Sequence, residues 1–246
     1  MIKVNLLIYL KMEKIIYIYH SCFAMVNDRT IIVFDYWQDD AAQSLHKLLE
    51  QSDRQVYFIA SHFHGDHYNP EILGWQLKKE PKYLLGYDII KKKRVPAEKA
   101  DFVMRPGLVY EDENFKLRAF RSTDTGVSVG ITLPDGTVLF HAGDLNNWYF
   151  TEEEQDADKL KVTLNQMEGL YLSVVREVSK TYPLINHLMF PIDPRIGQET
   201  LRGARQWLRA IPTDTFYPMH YWEQYDDMTK GILQLRTEFP DTTFVI

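Results

Sequence analysis

Apolar runs separated by turn residues dominate the first third of the chain. Residues 15–19 (Ile-Ile-Tyr-Ile-Tyr) form a β-rich run, and residues 23–26 and 30–34 flank Asn27-Asp28-Arg29, a pattern that predicts a hairpin. Residues 41–50 place Leu45, Leu48 and Leu49 on one face and predict a short helix. Residues 56–60 are apolar without interruption, as in a strand covered on both faces, and the run stops at a cluster of histidines. Beyond the cluster, Asn69-Pro70-Glu71 predicts a helix start: Asn caps, Pro is pre-set for the first turn, and the acid suits the positive end of the helix.

The β-then-α rhythm continues. Phe115, Leu117 and Ala119 alternate with Lys116 and Arg118, and residues 127–133 and 137–140 are joined by the tight turn Pro134-Asp135-Gly136. Residues 151–180 predict a long helix opened by a capping box, Thr151 with Glu154. Strands are expected at 187–192 and 215–219, and helices at 198–210 and 226–239. No short-period repeat, low-complexity stretch or linker interrupts the pattern. A single domain over residues 1–246, made of two similar halves, is the expected organisation, with residues 1–11 as a possible extension ahead of a start at Met12.

Composition narrows the function classes. With 45% hydrophobic residues in 246, the chain has material for a large core. The net charge of −6 speaks against a protein that holds nucleic acid through its phosphates. The one basic run, Lys91-Lys92-Lys93-Arg94, reads as the solvated end of a helix. The single cysteine, Cys22, excludes an internal disulfide and any CxxC site, and reads as a small buried hydrophobe. The N-terminal apolar run is broken by Lys3 and Asn5 and has no small-residue cleavage site, so a cytoplasmic protein with no membrane partner is expected.

The chemistry concentrates in His62, His64, Asp66 and His67. Imidazole and carboxylate are the usual ligands of zinc and also hold iron or manganese, and four of them within six residues can face one point. Gly65 is expected to permit the sharp backbone path that this needs.

Ser61-His62-Phe63-His64-Gly65-Asp66-His67, following an apolar strand, resembles the His-x-His-x-Asp-His signature of the metallo-β-lactamase superfamily. The resemblance extends along most of the chain. Leu139-Phe140-His141-Ala142-Gly143-Asp144 matches the strand and Gly-Asp that carry the family's bridging aspartate, and Phe216-Tyr217-Pro218-Met219-His220 matches its final histidine. It implies an α+β fold, a four-layer αββα sandwich, with a site for two divalent cations, zinc or manganese or iron. His62, His64 and a further residue would hold one cation, Asp66, His67 and His220 the other, and Asp144 would lie between them. The family's further histidine is missing from residues 121–128, where Asp124 falls nearest its place. A carboxylate there would harden the site toward manganese or iron; the alternative is an acid that caps a turn beside an incomplete site.

The resemblance further implies a hydrolase whose metal-bridged hydroxide, oriented by Asp66, attacks a small ester, lactone or phosphodiester. The compact length suits a lactonase-like branch. An RNA- or DNA-processing nuclease of the same fold, or a metal-binding relative without turnover, are the alternatives; oxygen chemistry at a diiron centre ranks last, because the Glu-containing loop that it calls for is absent. Weaker candidates surround this set. His20 lies at a strand end on the expected site side, and Asp35 follows another strand as a structural or supporting acid. His141 either bonds a ligand carboxylate or is satisfied by backbone, Trp148, Tyr221 and Trp222 line a pocket or belong to the core, and Arg195 meets an anionic substrate. His46 and His187 are expected to stay away from any metal.

Overall fold

In the computed structural model, which describes residues 14–150 and 157–246, the strands fall into two sheets. The first holds β1 (Lys14–Tyr19), β2 (Cys22–Val26), β3 (Thr30–Phe34), β4 (Gln55–Ala60), β5 (Lys82–Gly86) and β6 (Phe102–Met104), in that spatial order. The second holds β7 (Val109–Glu111), β8 (Lys116–Arg121), β9 (Val127–Thr132), β10 (Val138–His141), β11 (Ile185–Pro191), β12 (Thr213–Met219) and β13 (Thr243–Phe244), ordered β13-β12-β11-β10-β9-β8-β7. Among the described residues, five α-helices complete the fold: α1 (Ser44–Gln51), α2 (Tyr87–Lys91), α3 (Ala157–Thr181), α4 (Arg202–Ala210) and α5 (Tyr225–Glu238).

Period-two alternation explains the layering. Ile32, Phe34, Tyr57 and Ile59 point to the core shared with the second sheet, while Ile31, Val33, Val56 and Phe58 point to the outer face and meet Leu45 and Leu49 of α1. Both sets are buried, which is why residues 56–60 carry no polar position. On the second sheet, Tyr171, Val174, Val175 and Val178 of α3, Ala204 and Trp207 of α4, and Ile232 and Leu235 of α5 join the shared core. Helices thus cover the outer faces of two packed sheets. No helix among the described residues is long and apolar enough to cross a membrane.

Topology gathers the chemistry at one edge. Strands β3 to β6 run parallel, and β1 shares their direction because β2 is antiparallel to both β1 and β3. In the second sheet β10, β11 and β12 are parallel, and β8 shares their direction through antiparallel β9. His20, Asp35, His62, Asp144, Asp193 and His220 all lie just past the C-terminal end of a strand.

Some expectations need correction. The helix expected at Asn69 is a five-residue 3-10 turn, Pro70–Gly74; Asn69 Oδ1 does accept the Glu71 N–H at 3.0 Å, but Trp75 leaves in an extended conformation and packs edge-on against Tyr36 and Phe58. The helix expected from 198 starts at Arg202, after a separate 3-10 stretch, Pro194–Glu199, broken by Gly197 at φ 73°. Strands β5, β6, β7 and β13 went unpredicted. The capping box at Thr151 and Glu154 lies outside the described residues. Lys91 to Arg94 are exposed at the end of α2, as the charge pattern implied.

Candidate metal centre

Each candidate side chain is placed by a strand end and oriented by a second bond. The loop after β4 carries Ser61 to His67. Buried Asp35, at the end of β3, accepts bonds from Ser61 N–H, Ser61 Oγ and His67 Nδ1, each 2.7 Å long. With its proton given to Asp35, Ser61 Oγ accepts from His62 Nδ1 at 2.9 Å. Asp193, past β11, accepts from His220 Nδ1 at 3.0 Å. Three imidazoles thus have Nδ1 committed to an acceptor, so Nε2 is the nitrogen each presents to a cation, as a lone pair once the cation displaces any proton there.

Those three Nε2 atoms converge on Asp144, past β10. His62 Nε2 lies 3.2 Å from Asp144 Oδ2, and His67 and His220 Nε2 lie 3.0 and 3.3 Å from Oδ1. Asp144 therefore stands between the loops of the two sheets. Two groups of donors flank it, each with its potential ligand atoms within 4.8 Å of one another: His62, His64, Asp124 and Asp144 in one, and His20, Asp66, His67 and His220 in the other. His62 Nε2 and His64 Nδ1 are 2.9 Å apart, and Asp124 Oδ2 is 3.5 Å from His64 Nδ1.

The geometry brings all seven sequence-predicted ligands into this pair of clusters, with Asp124 beside His64. Thr123 anchors its loop, since its Oγ accepts the Asn146 N–H at 2.9 Å and donates to the Asn146 carbonyl at 2.7 Å. Buried Asp88 ties the same loop to the histidine loop by accepting from Thr125 Oγ1 at 3.0 Å and from Phe63 N–H at 3.3 Å.

Close approach, rather than a sharp turn at Gly65, is what demands glycine. Gly65 is not among the left-handed residues, and a Cβ there would meet nothing within 4 Å. At Gly126 (φ 67°) a Cβ would overlap the Ser61 carbonyl oxygen and His62 Cβ; at Gly143 (φ 54°) it would press on the Ser61 side chain. The left-handed φ values of His20 (55°), Asp35 (43°) and His220 (60°) add backbone strain of the kind concentrated at functional sites.

Electrostatics match a cation site. Burial disfavours charge on Asp144, but His67, His220 and His62 outweigh it and hold the carboxyl well below its usual range. Burial also opposes charge on His67, and Asp144 and Asp35 on either side hold its imidazole protonated well above its ordinary value. For Asp193, burial is outweighed by the bonds from His220 and Arg195, and its pKa falls to about 2. Burial pushes His20 down toward the neutral, ligating form. Among the described residues, buried His67 Nε2, Asp144 Oδ1 and both His20 ring nitrogens make no hydrogen bond. Buried polar atoms are rarely left so, and a cation among them would satisfy His67 Nε2, Asp144 Oδ1 and one of the two His20 nitrogens.

Other candidates sort by contact. His141 is held by backbone: Nε2 donates to Ser21 O at 2.9 Å, Nδ1 accepts the Gly143 N–H at 3.1 Å, and the ring stacks on Phe34. His46 stacks on Trp75 and His187 meets Tyr217 Oη, both outside the centre. Cys22 is buried. Trp148, Trp222 and Arg195 line a cavity of 870 Å³ in front of the centre, with Phe150, Leu164 and Met167, whereas Tyr221 belongs to the core. Sequence reasoning did not assign Asp193 to His220; the signal was an Asp-Pro pair directly after a strand. Nor did it find Asp88.

No family model matches the chain, and no curated protein matches it by sequence. Solved structures do match. A metallo hydrolase from the archaeon Ignicoccus hospitalis is 16% identical with a TM-score of 0.66, over 95% of this chain and 94% of that one. A metallo-β-lactamase fold protein from Bacillus subtilis is 12% identical with a TM-score of 0.56, over 95% of each. A diiron β-hydroxylase from Streptomyces venezuelae is 11% identical with a TM-score of 0.59, over 95% of this chain and 52% of that one. At such identities the likeness concerns architecture, and it agrees with the two-sheet topology above: this chain has the metallo-β-lactamase fold.

Proposed function

We propose that the protein is a metal-dependent hydrolase of small esters, lactones or phosphodiesters. Convergence of three Nε2 atoms on Asp144, with every Nδ1 committed elsewhere, carries this reading. His62, His64 and Asp124 would hold one divalent cation, Asp66, His67 and His220 a second, with Asp144 shared. Bound there, the pair supplies Lewis acidity and a water acidic enough to attack near neutral pH. Asp124 in place of an imidazole favours manganese or iron over zinc.

The chain's own residues do the rest. Asp66 is 21% exposed at the cavity and stays ionised, since His20 and His67 outweigh its burial; its carboxylate is placed to orient the attacking water and hold its proton. Trp148, Phe150, Leu164 and Met167 offer an apolar wall that takes a non-polar substituent and excludes water. Arg195, braced by Asp193 and stacked 4.8 Å over Trp222, presents a guanidinium to an anionic group. One arginine in that lining, in a chain of net charge −6, supports a small substrate over a nucleic acid.

Elemental analysis of protein purified without added metal, followed by a panel of lactones, bis-p-nitrophenyl phosphate and RNA, tests the proposal. Two cations per chain and chelator-sensitive hydrolysis of a lactone or diester are expected. Fewer than two cations, with no hydrolysis after adding manganese or zinc, would refute it, and cleavage of RNA alone would make it a nuclease. The mixed histidine and aspartate donor set also suits the iron chemistry named for the Streptomyces structure; iron-dependent consumption of dioxygen in place of hydrolysis would select that reading.

A further inference from the structure

His20 is the donor that the sequence pattern of the histidine loop does not include. It follows β1, on the opposite side of the first sheet's β2–β3 pair from that loop, yet its ring reaches the cluster of Asp66, His67 and His220. Its Nε2 stands 3.3 Å from Asp66 Oδ2, and its ring centroid is 4.4 Å from that of His220 and 5.8 Å from that of His67. The residue is 1% exposed, and neither ring nitrogen makes a hydrogen bond.

Its backbone is equally committed. The His20 N–H donates to Tyr17 Oη at 2.8 Å, and its carbonyl accepts the His220 N–H at 3.2 Å. That last bond joins the turn after β1 in one sheet to the end of β12 in the other, with both residues left-handed. Trp37 and Trp222 pack on the imidazole at 5.5 and 4.4 Å. A surplus core histidine would be expected to bond a backbone carbonyl, as His141 does. Here a strained backbone and two tryptophans hold an imidazole whose one polar neighbour, the Asp66 carboxylate, lies outside hydrogen-bond geometry, against three other donors.

We propose that His20 is itself a ligand, completing with Asp66, His67 and His220 a four-residue protein site for one cation of the pair. The inference rests on the two-cation reading above. It makes the two positions unequal. The side chains of His20, His67 and His220 are at most 4% exposed and that of Asp66 is 21%, whereas on the other side His62 is buried but His64 and Asp124 are 41% and 45% exposed. A cation surrounded by protein ligands resembles a structural site, and one with an open side resembles a catalytic one. The His20 cation is therefore the more fully protein-bound of the two, with Asp66 as its edge on the cavity, and the position at His64 and Asp124 is the more open one.

Chelator competition on wild type, His20→Ala and His20→Asn, with apo-protein folding checked by circular dichroism, tests the assignment. Wild type should bind two cations. In both variants one binding event should weaken by about 100-fold or more, beyond the roughly 10–100-fold lost with an outer hydrogen-bonding partner, while the other keeps its affinity to within a few-fold. A smaller loss in a folded variant makes His20 a positioning residue for Asp66 and overturns the proposal. Nitrogen-15 NMR of wild type loaded with cadmium-113 needs no variant: scalar coupling between the metal and a His20 ring nitrogen is expected, and its absence with coupling present at His67 and His220 refutes the assignment. Should wild type bind no cation, the two-cation reading falls first and this inference with it; two cations with His20 uncoupled overturns this inference alone.

Discussion

Asp35→Asn is the most informative single change, because the carboxylate is buried and all its bonds are short. Oδ1 takes the Ser61 N–H, and Oδ2 takes both Ser61 Oγ and His67 Nδ1, each at 2.7 Å. An amide keeps one acceptor. With its oxygen toward His67, its NH₂ meets the Ser61 N–H; turned round, the NH₂ meets His67 and Ser61 Oγ. Either way a buried donor loses its partner. Breaking a buried charge-assisted contact costs about 3–5 kcal/mol, and with partial relaxation about 3 kcal/mol is expected. For a chain of this size that lowers Tm by about 6–12 °C.

The second consequence is chemical. Without the carboxylate, nothing fixes the Nδ1–H tautomer of His67, and the neutral imidazole carries its proton on Nε2 for part of the time. Cation affinity should fall about 10–100-fold. In excess chelator, the stability gap between wild type and variant should depend on pH. Asp35, lowered by His141 and His67 against its burial, contributes above the unfolded carboxylate pKa of about 3.9; His67, raised by Asp144 and Asp35 against its burial, contributes fully below the unfolded imidazole pKa of about 6.5. The gap is therefore widest between about pH 4 and 6.5 and narrows on either side. Thermal unfolding in chelator and competition titration measure both effects. A folded Asp35→Asn protein with unchanged Tm and unchanged affinity would show that Asp35 does not orient the histidine.

Three further changes probe separate links. Gly126→Ala should cost about 2–4 kcal/mol in chemical denaturation, since its Cβ overlaps the Ser61 carbonyl and His62 at a positive φ, whereas Gly65→Ala should stay within about 1 kcal/mol; equal costs would contradict the close-approach argument. Asp124→Ala should reduce bound metal from two cations to one, and Asp124→His should restore two while shifting uptake from manganese to zinc in an equimolar mixture; unchanged selectivity would remove Asp124 from the ligand set. Asp112 accepts from Tyr57, Tyr110 and Lys82, and, despite burial, the Asn114 N–H and these side chains lower its pKa to about 2. Asp112→Asn should lose about 1–2 kcal/mol at pH 7, and the wild-type advantage should vanish between about pH 4 and 2; a loss independent of pH over that range would assign the effect to packing.

What was legible in the sequence, and what was not, divides by the range of the interaction that fixes it. Residues 30–34 and 56–60 announced themselves because both faces of those strands are buried, so every position answers to the same apolar demand. Short β6, β7 and β13 did not, because two or three residues pair with a neighbour without showing any period. The loop from His62 to His67 was readable because its donors are consecutive. Asp144 and His220 were placed by resemblance, on single residues after strands. His20, Asp35 and Asp193 belong to the same centre, yet each is one polar residue after a strand, which is also what a turn looks like. Their roles follow from the order in which strands lie side by side: β1 and β3 bring His20 and Asp35 to the edge where β11 and β12 bring Asp193 and His220. One carboxylate then orients a histidine on each side of Asp144, Asp35 on His67 from the first sheet and Asp193 on His220 from the second. A centre divided in this way is assembled only when the sheets pack. On the two-cation reading, added metal should therefore stabilise the interface between them and raise the Tm of the whole fold rather than order a single loop.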